Sequence, residues 1–95
     1  MDPRDRIEIL KVVPMPPGGA LRAFVSVSLD GKITIHDNRV IMQEGKTPWV
    51  SPPQREVERD GVKKYYPVVE IQDRALKAAI DEKILDAWRR ADTGE

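Results

Sequence analysis

Residues Leu21 to Met42 constrain the fold more than any other stretch, because their alternation runs straight into Asp30-Gly31 and must turn back on itself. Leu21, Ala23, Val25, Val27 and Leu29 fall on one face of an extended segment, with Arg22, Phe24, Ser26 and Ser28 on the solvent side. An Asp-Gly pair supplies the two positive φ angles that a two-residue type I′ turn requires, so the next strand returns antiparallel. Lys32 to His36 continues the period with Ile33 and Ile35 turned inward. The alternation then breaks at Asp37-Asn38-Arg39 before the apolar Val40-Ile41-Met42. Either a β-bulge or a strand buried on both faces produces such a break.

A lone hairpin is marginal in water and needs further strands or a helix against its apolar face. Arg6 to Val13 predicts a first strand, with Ile7, Ile9 and Val13 on one side and Leu10 and Val12 on the other. Pro14, Pro16, Pro17, Gly18 and Gly19 then interrupt regular structure. After a polar loop from Gln43 to Pro48, Trp49-Val50 is a short apolar segment stopped by Pro52-Pro53, a neighbourhood that only an edge strand tolerates. Gln54 to Lys64 is rich in basic side chains and poor in apolar anchors, and predicts a mobile hairpin loop or arm. Val62 to Val69, with Pro67 inside it, is the last strand candidate.

From Glu70 the apolar period lengthens to that of a helix, with Leu76, Ala79, Ile80, Ile84 and Trp88 in one stripe. Asp73 at its start and Arg89-Arg90 at its end suit the helix dipole, and Asp73/Lys77 and Asp86/Arg90 are spaced as i,i+4 ion pairs. The expected fold is α+β: a small antiparallel β-sheet of four or five strands with a C-terminal α-helix packed on one face.

A chain of 95 residues supports one modest core, hence a single domain over 1–95. Forty per cent apolar and 34% charged residues are ordinary for a globular protein. The lack of cysteine and of any apolar run of membrane-spanning length points to a cytoplasmic protein with no membrane partner. Sixteen basic side chains balance 16 acidic ones, so the chain lacks the overall basic excess that marks most nucleic-acid binders. Any basic face must arise by folding or by pairing two chains.

His36 is the one histidine, which leaves no multi-histidine metal site. His36-Asp37 could be read as a base and its orienting carboxylate, but neighbours along a strand point to opposite faces, which favours a structural role. Gly18-Gly19 lacks the lysine and helix of a phosphate-binding loop, and Ser26, Ser28 and Ser51 lack a nucleophile elbow. The expectation is no enzyme, no catalytic residue, no metal, no cofactor and no small-molecule substrate. What remains is Lys46, Trp49, Arg55, Arg59, Lys63, Lys64, Tyr65 and Tyr66, where cations suited to phosphates are interleaved with rings suited to bases. A solvated charged loop beside core aromatics would carry the same residues.

The text VSVSLDGKITIHDNRVI, from Val25 to Ile41, resembles the core segment of the SpoVG family, the stage V sporulation protein G or septation regulators. That segment runs S-I-T-L-D, a short turn, then F-V-V-H-D-x-R-V-I. Ser28, Leu29, Asp30, His36, Asp37, Arg39, Val40 and Ile41 match it in register. The opening strand with its early Arg and the W-V-x-x-P of Trp49 to Pro53 come in family order, so the resemblance covers a core of about residues 6–90. It implies a homodimeric, cytoplasmic regulator of septation, sporulation or gene expression that binds DNA, and RNA in some members. It also implies a structural polar cluster of His36, Asp37 and Arg39, in which Asp37 could pair with Arg39. Where the family reads M-P-S-K-R, this chain reads Pro52-Pro53-Gln54-Arg55, with one lysine fewer. Arg55, Arg59, Lys63 and Lys64 are therefore the candidate phosphate contacts. The alternative is a protein-protein interaction module in cell division that does not touch nucleic acid.

Overall fold

The predicted hairpin is the centre of a four-stranded antiparallel sheet in the computed structural model, which describes residues 3–92. A 3-10 turn (Pro3–Arg6) leads into β1 (Ile7–Pro14), followed by β2 (Leu21–Leu29), β3 (Ile33–Ile41) and β4 (Trp49–Ser51), which lie side by side in chain order. A separate two-stranded ribbon follows, β5 (Gln54–Arg59) and β6 (Val62–Pro67), and helix α1 (Arg74–Asp92) closes the fold. The α+β expectation holds, with four strands in the main sheet and two outside it.

Asp30 and Gly31 both have positive φ, 56° and 65°, and the Lys32 N–H donates to the Leu29 carbonyl at 2.9 Å, as a type I′ turn requires. The ladder opens with Leu29 opposite Ile33, so Lys32 stands outside it and the loop holds three residues instead of two. Arg6 clamps this turn from the chain's other end. Its carbonyl accepts from the Asp30 N–H at 2.7 Å, and its guanidinium donates to both Asp30 oxygens at 2.9 and 2.6 Å. That paired hydrogen bond holds the Asp30 carboxyl below the usual aspartate range and raises Arg6.

The break at Asp37 is a bulge. Val27 faces Ile35 and Val25 faces Asn38, so His36 and Asp37 together oppose Ser26, and Asp37 takes a φ of 62°. Ile35 and Val40 are an odd number of residues apart and would point to opposite faces of a regular strand. The bulge turns both inward, to 8% and 0% exposure. Asn38 comes with them, and its buried amide donates to the carbonyls of Val25 and Ile35, each at 3.0 Å.

β1 carries a second bulge, at Leu10, between the pairs Ile9–Val27 and Lys11–Ser26. It reverses the expected facing of the strand's end: Val12, opposite Val25, joins Ile7 and Ile9 on the core, while Val13 goes to the other face beside Phe24. Ile33 is also corrected, since it lies at the end of the sheet and is mostly exposed. Ser28 is buried although it sits on the face expected to meet solvent.

Helix α1 begins where Asp73 accepts from the Leu76 N–H at 3.0 Å, an N-cap that satisfies one of the helix's free donors. With Asp73 so engaged, Lys77 pairs forward with Asp81 at 2.5 Å instead of back with Asp73, while Asp86–Arg90 forms as its spacing predicts, at 2.7 Å. Ala79, Ile80 and Ile84 bury against Ala23, Val25, Val27 and Val40, with Leu76, Leu85 and Trp88 partly buried around them. Each fully buried aliphatic side chain contributes about 1.5–3 kcal/mol. Lys83 donates to the Ile7 carbonyl at 3.1 Å and ties the helix to β1.

Candidate nucleic-acid interface

Pro52 and Pro53 offer no N–H to the ladder, so the chain leaves the sheet after β4 and starts a new pairing at Gln54. Asp60 and Gly61 turn that new pair, with φ of 52° and 77°. Arg59 pairs with Val62 directly across them, which makes this a two-residue loop. The Val68 N–H donates to the Pro53 carbonyl at 2.9 Å and closes the base of the ribbon.

The register decides which side chains share a face. Arg55 lies opposite Tyr66, Val57 opposite Lys64 and Arg59 opposite Val62, so these six side chains line one surface. Glu56 opposite Tyr65 and Glu58 opposite Lys63 form the other. Charge is segregated accordingly. One face holds three cations, with Asp60 at its rim; the other holds two carboxylates and Lys63. Lys63 lies 3.6 Å from Glu56, whose oxygen also accepts from the Tyr65 hydroxyl at 3.4 Å.

Of the four basic residues singled out in the sequence, the ribbon thus brings Arg55, Arg59 and Lys64 together and turns Lys63 away. Tyr66 joins the basic face; Tyr65 does not. Lys46 and Trp49 lie outside the ribbon, before and on β4. The feature of the sequence that would have separated the faces is the second Asp-Gly pair, Asp60-Gly61, which sets the register and with it the parity of every residue from Gln54 to Pro67.

The proposed polar cluster is divided. His36 Nδ1 and Ser26 Oγ are hydrogen-bonded at 2.9 Å across the bulge. Arg39 lies over the Phe24 ring at 5.9 Å, with its Nε buried and without a partner, and no ion pair joins it to Asp37. The expected Asp37–Arg39 pairing fails because Asp37 is the left-handed residue of the bulge, which removes the two-residue relation that would have set both side chains on one face. Asn38, between them, is the residue of this stretch that binds backbone. Among the described residues no group of three or more His, Cys, Asp or Glu could hold a metal ion, and no helix is long and apolar enough to cross a membrane.

A sheet covered on one face by a single helix, with a charge-segregated two-stranded ribbon extending from its edge strand, is a small α+β architecture. The family model for SpoVG matches residues 6–90, and the chain belongs to the SpoVG family. Membership makes it a sporulation- and septation-related regulator. No curated protein matches the chain.

Proposed function

We propose that the protein is a homodimeric cytoplasmic regulator that binds nucleic acid through the basic face of the β5–β6 ribbon. Arg55, Arg59 and Lys64 contact phosphates, and Lys63 does not. The observation that carries this reading is the sorting of charge by register: a chain of zero net charge gathers three cations and an exposed ring on one side of a ribbon and keeps Glu56 and Glu58 on the other. A dimer carries two such faces, which extends a modest patch to a footprint that spans two sites on one ligand. The protein acts without catalysis in this reading, needs no cofactor, and reads its partner by charge.

The test is a salt series of binding to mixed-sequence DNA and RNA oligonucleotides, followed by fluorescence anisotropy. Binding should be clear at low salt and weaken along a straight line of log affinity against log salt, as counterion release demands. Binding that is absent at low salt, or insensitive to salt, overturns the proposal. One observation favours the second reading, a protein-interaction module: Ile33 and Val68 are 58% and 62% exposed and line a mostly apolar groove together with Leu29 and Ile71. Substituting both by Ser would abolish regulation and spare oligonucleotide binding if that groove were the working surface.

A further inference from the structure

The basic face has a finer pattern than its net charge. Its three rungs are Arg55 with Tyr66, Val57 with Lys64 and Arg59 with Val62, so every rung sets one cation beside one apolar side chain. The cation changes strand at each step, from β5 to β6 and back. Same-face rungs are about 6.7 Å apart along a strand. Tyr66 is 45% exposed, and its hydroxyl has no partner among the described residues, whereas Tyr65 on the acidic face is held by Glu56.

A ligand that matches this pattern alternates charge with flat apolar surface at short range. A duplex does not, since it hides its base faces in the stack and offers phosphates or polar base edges. A single strand does, because its unpaired bases expose their faces beside the phosphates that carry them. Resting on the assignment of the basic face to nucleic acid, we infer that the ligand is a single strand lying along Arg55, Lys64 and Arg59, with one base stacked on Tyr66.

The experiment compares the full chain and its variants on one labelled DNA oligonucleotide of about 12 nucleotides, within the range of single-strand site sizes, alone and annealed to its complement. The free strand should bind more tightly than the duplex. Tyr66→Ala should weaken binding of the free strand about 5- to 150-fold, the measured range for loss of one stacked base. Tyr66→Phe should retain binding, since it keeps the ring, and Tyr65→Ala should leave it unchanged. Circular dichroism of each variant checks that the fold survives. If the duplex binds as well as the free strand, or if Tyr66→Ala is silent while Arg55→Ala and Lys64→Ala both weaken binding, the single-strand inference falls and the basic face stands as a phosphate site. If neither form binds at low salt, the parent assignment falls and takes this inference with it.

Discussion

Replacing Asn38 by Ala tests whether the bulge in β3 is held by one side chain. Asn38 is 5% exposed, and its amide nitrogen donates to two backbone carbonyls, those of Val25 and Ile35, which flank the irregularity in the ladder. Alanine at this position removes both bonds and leaves the carbonyls without that donor in the interior. Each bond has a net worth of about 1 kcal/mol, and each buried polar group left unpaired costs about 1–3 kcal/mol, so the loss should be about 2–4 kcal/mol. That is a large share of the roughly 5–15 kcal/mol that holds a domain together. Urea unfolding should show the midpoint fall by about 2 M with an unchanged slope, and the melting temperature drop by roughly 10–25 °C. Asn38→Asp separates hydrogen bonding from volume, because a carboxylate has nearly the same shape and no donor. Facing two carbonyls raises the folded-state pKa of such a group above its unfolded value, so the variant should be most stable below the ordinary aspartate pKa and lose stability as pH rises through the raised one. A loss of less than about 0.5 kcal/mol for Asn38→Ala, or a flat pH profile for Asn38→Asp, would refute the assignment of Asn38 as the bulge's donor.

Adjacent lysines on opposite faces make a sharp comparison. Lys64→Ala should reduce the slope of log affinity against log salt by about 0.7 on a single strand, and Lys63→Ala should leave it unchanged because that ammonium already sits beside Glu56. Equal effects from the two lysines would contradict the face assignment. At the other end of the molecule, Asp30→Asn keeps a residue that tolerates a left-handed φ but removes the carboxylate bound by Arg6. The folded pKa of Asp30 is depressed, so the stability it contributes is present above the ordinary aspartate pKa and is lost as pH falls through the depressed one. The variant should lose that part of the acid limb, and carbon-detected NMR titration of Asp30 in the parent chain should place its midpoint below that of an unpaired aspartate.

What the sequence made legible follows the range over which each feature is determined. The Asp30-Gly31 turn, the alternation of β2 and the 3.6-residue stripe of α1 are decided by neighbours a few residues away, and each is visible to pattern reading. The three irregularities in the ladders, at Leu10, at Arg22 and at His36-Asp37, are not. Leu10 looks like an ordinary member of an apolar strand, yet an extra residue there reverses Val12 and Val13, and the demand for it comes from β2 across the ladder. Asp37 gave a warning because alternation failed there, but the warning was equally consistent with a strand buried on both faces. Only the pairing of Val25 with Asn38 decides between them.

The same distinction explains the candidate interface. Composition revealed four basic residues between Gln54 and Lys64, but a binding surface depends on parity, and parity depends on register. The determinant was local after all: with Asp60-Gly61 taken as a two-residue turn, Arg59 meets Val62, and counting outward assigns Lys64 to the basic face and Lys63 to the acidic one. One residue more in that turn would pair Arg59 with Lys63 and set Lys63 and Tyr65 beside Arg55 and Arg59, in place of Lys64 and Tyr66. The length of the Asp60-Gly61 turn is therefore part of the candidate site, although neither residue need touch a ligand.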